Sequence, residues 1–284
     1  MRFLVFGCNG MAGHLVSLYL QEQGHDITGF ARTQSKLIKT IVGDALNSNE
    51  VRVAVKKDHF DTVINCIGLL NQFAENNKSQ AVYLNSFFPH YLAELTRETD
   101  IQVIHVSTDC VFSGKRGKYT EDDLPDGTTF YDRSKAMGEL EDNKNLTLRQ
   151  SIVGPDIKAN GIGLLNWFMQ QQREINGYTG ALWTGLTTFQ LAKVIEEAAK
   201  VRAHGLYNTV PEYYISKYEL LGLFNKYMRG GSIRIVPVNK MAANKSLKRT
   251  RFDFACRIPD YEHMVAELAD WMCVHKNLYP HYKL

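Results

Sequence analysis

Tyr131 and Lys135 are four positions apart, so on a helix they share one face, one turn apart. A phenol beside an ammonium is a proton-transfer pair, because the cation favours the phenolate and is expected to lower the tyrosine from its free pKa of about 10. The run Val106-Ser107-Thr108-Asp109 upstream adds a second hydroxyl. Near the start, Phe6-Gly7-Cys8-Asn9-Gly10-Met11-Ala12-Gly13 spaces three glycines as G-x-x-G-x-x-G. Such glycines permit a tight turn and close backbone approach to a pyrophosphate at a helix N-terminus. A dinucleotide site and a tuned tyrosine are the two halves of a carbonyl redox reaction. The bland alternatives are a glycine-rich turn and a surface i,i+4 pair.

These residues need strand ends and helix starts to place them. Arg2–Phe6, 27–31, 40–42, 62–67 and 103–107 read as buried parallel strands. Between them, 13–23, 48–57, 79–97 and 131–141 have helical spacing or composition. This alternation predicts an α/β protein with a doubly wound parallel sheet of the Rossmann type. Residues 146–153 read as one further strand, stopped by Gly154-Pro155. Beyond it, 162–173 is expected as a helix, 176–185 as turns, and 189–200 as a helix capped by Thr187 or Thr188. A strand at 205–210 and helices at 216–228 and 261–276 follow. The expected organisation is a dinucleotide-binding core over 1–153, rejoined by 185–210, with a smaller discontinuous substrate lobe from 154–184 and 211–284.

Cofactor choice turns on the end of the second strand, where a carboxylate would accept from a ribose 2′-hydroxyl and an arginine would accommodate a 2′-phosphate. The chain has Ala31-Arg32-Thr33 there and no carboxylate. This favours NADPH over NADH, unless Arg32 is only a solvated charge. Asp44 is placed either to meet the adenine amino group or to cap its own loop. Asn65-Cys66-Ile67-Gly68 ends the fourth strand, where Gly68 allows backbone approach. Gly7, Asn9, Gly10, Met11, Gly13, Arg32, Asp44, Cys66, Ile67, Gly68 and Lys135 are thus the expected cofactor contacts.

A hydrophobic fraction of 44% and a charged fraction of 22% suit a globular chain with a sizeable core. The net charge of +3 is too small to imply nucleic acid, and the basic excess is local, at Lys240, Lys245, Lys248, Arg249 and Arg251. No apolar run reaches the roughly 18 residues a membrane span needs. The first residues enter a strand at once, leaving no room for a signal peptide. Five widely spaced cysteines show no metal-ligand spacing, so no metal site is expected and a reducing cytoplasm is the default.

The glycine spacing, Ser107-Thr108-Asp109-Cys110-Val111-Phe112-Ser113-Gly114 and Tyr131-Asp132-Arg133-Ser134-Lys135 together resemble extended short-chain dehydrogenases/reductases. Within these, the S-T-D-x-V-F-x-G run is similar to the dTDP-4-dehydrorhamnose reductases and related reductases of nucleotide-activated 4-keto-6-deoxy sugars. The resemblance is strong to about Val153 and diffuse thereafter. It implies that Thr108 holds the substrate carbonyl, Tyr131 donates the proton as hydride arrives from the nicotinamide, and Lys135 binds the ribose and supports the phenolate. Sugar-nucleotide dehydratases of similar architecture carry T-D-E. Here Cys110 replaces the glutamate, and a thiol of pKa about 8.5 is a poor carboxylate base.

On the substrate side the resemblance implies Asp109, Val111 and Phe112. Trp183 either contacts the sugar nucleotide or belongs to the core. Lys248 and Arg249 sit where related reductases carry an Asn-Ser-containing loop, although this chain lacks the proline that precedes it; they are expected to meet a diphosphate. The reaction implied is reduction of a dTDP- or UDP-linked sugar, with a 2-acetamido sugar an option, for surface polysaccharide. A non-catalytic NADP-binding regulatory subunit and an epimerase are the alternatives. Oligomeric state, monomer or homodimer, stays open.

Overall fold

The computed structural model describes residues 1–239 and 244–283. Lys240 of the basic cluster lies outside the described residues. Seven strands form one sheet with every neighbouring pair parallel: β1 (Arg2–Phe6), β2 (Asp26–Ala31), β3 (Lys39–Val42), β4 (Thr62–Asn65), β5 (Gln102–Val106), β6 (Leu146–Arg149) and a distant strand, Gly205–Asn208. Their order, from that distant strand through β6, β5, β4, β1 and β2 to β3, reverses direction between β1 and β4. That reversal is the switch point at which doubly wound sheets bind nucleotides.

β1 shows why the sheet is covered on both faces. Phe3 and Val5 enter one core with Leu15, Leu20 and Ile195, whereas Leu4 and Phe6 enter another with Val51, Phe88 and Leu92. A period of two in an all-apolar strand sends alternate side chains to opposite helical layers. α1 (Met11–Glu22) covers the first face; α2 (Ser48–Val55) covers the second.

The stretch 79–97, expected as one helix, is α4 (Lys78–Ala81), a π-helical turn (Val82–Phe87) and α5 (Phe88–Leu95), preceded by the short α3 (Asn71–Asn76). α6 (Phe130–Ala136) is shorter than expected. It starts at a capping box between Thr129 and Asp132. It ends because Gly138 must pass under the π turn, where a Cβ would lie 1.9 Å from the Asn85 carbonyl oxygen.

Residues 146–153 form two strands, not one. The chain breaks at buried Gln150, and β7 (Ser151–Val153) leaves the main sheet. The stretch 176–185 is also more ordered than its turn-rich composition implied. After α7 (Leu164–Met169) come β8 (Glu174–Tyr178), β9 (Leu182–Trp183) and β10 (Gly185–Thr187), then α8 (Thr188–Val201), β11 (Gly205–Asn208), β12 (Ile215–Ser216), α9 (Lys217–Met228), β13 (Arg234–Val238) and α10 (Tyr261–Val274). β8 pairs with β13, β9 with β12, and β10 with β7. These strands are short and their partners are distant in sequence, so no local pattern announces them. Thr187 caps α8 by accepting from the Gln190 N–H at 3.1 Å.

Candidate active site

The carboxyl ends of β1, β2, β4 and β5 meet at the switch point. Gly7 takes φ +81°, where an L side chain is strained, and a Cβ on it would lie 3.0 Å from the Ile67 side chain. A Cβ on Gly13 would lie 2.2 Å from the Gly7 carbonyl oxygen. α1 therefore starts directly beneath the loop. Its N-cap, Gly10, has no side-chain cap, and no acidic residue lies in the first turn. The first N–H groups have no intrahelical acceptor, so they present a positive, glycine-lined cradle. These features fit the pyrophosphate of a dinucleotide.

The neighbouring loops converge on that cradle. Asn9 Nδ2 donates to the Thr33 carbonyl at 2.9 Å, tying the glycine loop to the end of β2. Arg32, beside Thr33, is exposed. Asp44 uses Oδ1 to accept from the Leu46 N–H at 3.0 Å, the loop-capping arrangement. Past β4, Cys66 N donates to the Phe6 carbonyl at 3.1 Å, which sets Cys66 and Ile67 alongside Gly7. Gly68 faces Asn85.

Thr108 and Tyr131 are both buried, at 9% and 7% exposure. The Thr108 hydroxyl accepts from the Cys110 N–H at 3.1 Å and donates to Asp109 Oδ1 at 3.2 Å. Burial raises the Tyr131 phenol well above its ordinary pKa, the Cys110 thiol and both neighbouring aspartates add to this, and the Thr108 hydroxyl pulls back in part. This corrects the expectation of a lysine-lowered phenol. Lys135 is turned toward β5 and donates to the Val106 carbonyl at 2.9 Å, with Nζ 3.2 Å from His105 Nε2.

The polarity of that contact can be traced. The Ile67 N–H points at Asn65 Oδ1 at 3.0 Å, so Asn65 Nδ2 must donate to His105 Nδ1, also at 3.0 Å. The ring proton then sits on Nε2 and faces Lys135, which favours the amine over the ammonium. Burial acts in the same direction and brings Lys135 down to about 8, although Glu139 opposes it. It also holds His105 neutral, well below its ordinary value.

Asp109 is buried, which lifts its carboxyl to about 6 against the pull of Lys245. Burial likewise pushes the Cys110 thiol to about 12, so this position holds a protonated thiol rather than a base.

Several expected substrate contacts are core residues. Val111 and Phe112 are fully buried with Tyr119, Val210 and Leu247. Val111 ends the short turn at Asp109–Val111 and Phe112 caps it, and both side chains are buried. Trp183 is buried on β9 against Tyr261, ring centroids 5.6 Å apart. Arg249 donates to the Arg251, Cys256 and Phe254 carbonyls, so its guanidinium holds its own loop together. Lys248 is exposed.

Two residues that the sequence did not single out support α6, the helix that carries Tyr131 and Lys135. Buried Asn85, in the π turn, accepts from the Leu69 N–H at 2.8 Å and donates to Ser134 Oγ at 3.0 Å. Glu75 Oε1 accepts from the Phe130 N–H at 2.6 Å and caps α6 beside Tyr131. A lone Asn in an apolar helical stretch was the only signal for the first, and none existed for the second.

An uncapped glycine cradle at the switch point and a Tyr-x-x-x-Lys helix beside Thr108 define a Rossmann-type protein of the extended short-chain dehydrogenase/reductase kind. A family model described as "RmlD substrate binding domain" matches residues 1–254, and the chain belongs to that family. A dTDP-4-keto-6-deoxy-D-glucose reductase of Streptomyces niveus is 24% identical over 86% of this chain and 85% of its own length. A probable low-salt glycan biosynthesis reductase of Haloferax volcanii is 34% identical over 49% of this chain and 48% of its own, so the chain spans about half the length of that relative. Among solved structures, a dTDP-4-dehydrorhamnose reductase from Bacillus anthracis in complex with NADP shares the fold, with a TM-score of 0.79 at 21% identity over 94% of this chain and 98% of the other. Among the described residues no helix is long and apolar enough to cross a membrane, and no group of metal-binding side chains occurs.

Proposed function

We propose that this chain uses NADPH to reduce the 4-keto group of a nucleotide-activated 4-keto-6-deoxy sugar. The observation that carries the reading is Tyr131, buried beside Thr108 and one helical turn from Lys135, with a thiol at Cys110, its pKa raised by burial, where a dehydratase needs a base. Relatives named as reductases of such sugars support it.

In this reading Gly7, Gly10 and Gly13 seat the pyrophosphate with Asn9 and Met11, and Cys66, Ile67 and Gly68 line the approach. Asp44 lies on the adenine side. Bound NADPH supplies the hydride. Thr108 orients the carbonyl, Tyr131 Oη gives its proton to the carbonyl oxygen, and Lys135 turns from Val106 to the ribose and the phenolate left behind. Asp109 borders the sugar, and exposed Lys248 is placed to meet a diphosphate.

The test follows reduced-nicotinamide absorbance with dTDP- and UDP-linked 4-keto-6-deoxy sugars, with and without a 2-acetamido group. Oxidation of NADPH with at least one is expected. Binding without oxidation across the panel would leave a regulatory subunit, and sugar isomerisation without net oxidation would indicate an epimerase. Arg32→Ala should raise the KM for NADPH about 10- to 100-fold, the range for one lost charge-assisted bond, and leave that for NADH nearly unchanged. Equal effects on the two cofactors would remove Arg32 from the 2′-phosphate site.

A further inference from the structure

The residues after α10 lie beyond the family match, which ends at 254, yet they pack onto the dinucleotide cradle. Tyr279 and Tyr282 are stacked, with ring centroids 5.6 Å apart, and both are buried. The Tyr279 phenol meets α1 and the Tyr282 phenol meets the loop that precedes α7.

His14, in the first turns of α1, is 1% exposed. Its Nδ1 lies 2.9 Å from the Gly10 carbonyl oxygen and its Nε2 lies 2.8 Å from Tyr279 Oη. A carbonyl can only accept, so Nδ1 carries the proton and Nε2 accepts from Tyr279. Burial holds the ring neutral, as this tautomer requires. The chain of bonds therefore runs from Tyr279 through His14 to the glycine that begins α1.

Tyr282 serves the loop before α7. Its hydroxyl accepts from the Asp156 N–H at 3.0 Å and donates to Asn166 Oδ1 at 2.7 Å. Asn166 Nδ2 in turn donates to the Ala159 and Gly161 carbonyls at 3.1 and 2.6 Å. That loop reaches the cradle at Gly163, where a Cβ would lie 3.1 Å from Met11 Sδ.

We propose that the segment after α10 latches the cofactor site: Tyr279 through His14, and Tyr282 through Asp156 and Asn166, are positioning residues that hold the Gly10–Met11 turn and the 156–163 loop in the geometry that binds the dinucleotide. This rests on the NADPH reading above. Neither tyrosine touches the reacting atoms. Their effect is to spare the loops an ordering cost when the ligand arrives.

The experiment is a fluorescence titration of NADPH into wild type, Tyr279→Phe and Tyr19→Phe, well below the melting temperature of each. Tyr19 is on the same helix and bonds Glu196 at 3.0 Å, so its variant loses a comparable buried hydroxyl contact remote from the cradle. Tyr279→Phe should raise the Kd roughly tenfold, the worth of about one hydrogen bond, and Tyr19→Phe should leave it near wild type. Equal Kd values for wild type and Tyr279→Phe would overturn the latch, as would an equal rise in the Tyr19 control. Hydrogen exchange on the unmodified protein gives a second reading if the variant does not fold. Because linkage is reciprocal, NADPH should increase amide protection around Tyr279–Tyr282 as well as at Gly10–Met11. Protection confined to the glycine turn would refute the coupling. Wild-type protein that binds no NADPH would instead overturn the functional reading beneath it.

Discussion

Tyr131→Phe is expected to bind NADPH with near wild-type affinity and to lose turnover by about a hundredfold to ten-thousandfold, the usual contribution of a positioned general acid. The ring is packed against Ala74 and Ala81, and phenylalanine keeps that packing, so the loss isolates the hydroxyl. Burial keeps the phenol protonated throughout the neutral range, which suits a donor in the reducing direction. The pH dependence should come from Lys135. With its pKa brought down to about 8, the lysine carries its charge below that pH and loses it above. kcat/KM should therefore fall on the alkaline side near pH 8, and the limb should disappear in Lys135→Met. Steady-state kinetics across pH 6 to 10 (about the range bracketing the lysine) measures both. Wild-type turnover in Tyr131→Phe would end the proton-donor assignment.

The largest effect on stability is expected at Glu139→Leu. Glu139 and Arg149 form a two-pronged pair, Nε to Oε1 at 2.9 Å and Nη2 to Oε2 at 2.6 Å, with side chains 6% and 2% exposed. Ser107 Oγ donates to the same carboxylate at 2.6 Å, and the guanidinium lies 5.1 Å from the Phe112 ring centroid. Removing the carboxylate leaves a buried guanidinium without its counter-ion, which costs about 3–5 kcal/mol. Replacing both partners, Glu139→Leu with Arg149→Met, should restore most of the loss, since no charge is then stranded. Urea unfolding of the two variants and wild type tests this. A single variant as stable as wild type would show that the pair contributes nothing. A double variant no better than the single would assign the loss to packing. The pair also anchors Ser107, the residue before Thr108, so the single variant is expected to disturb the active site as it loosens the fold.

The fold core was legible because its signals are local. The strand β1, the glycines at 7, 10 and 13 and the pair Tyr131 and Lys135 depend on spacing within a few residues, where sterics and helical period dictate geometry. The strand break at Gln150, the pairing of β8 with β13 and the depth of Trp183 depend on partners far along the chain. Val111 and Phe112 sit inside a motif whose sequence is easily recognised, yet a single tight turn decides that their side chains go to the core.

By itself, then, the sequence determined the layered α/β sheet, the cradle at its switch point and the types of group that could move a proton. Only the tertiary structure decided how those groups are tuned. It buried Tyr131 and raised its pKa, turned Lys135 toward His105 and Val106, spent Arg249 on its own loop, and brought Asn85 and Glu75 to α6 and Tyr279 to His14. The reason is physical: spacing sets which side chains share a face, but burial and hydrogen-bond polarity set their protonation, and both are made by segments that meet only when the chain has folded.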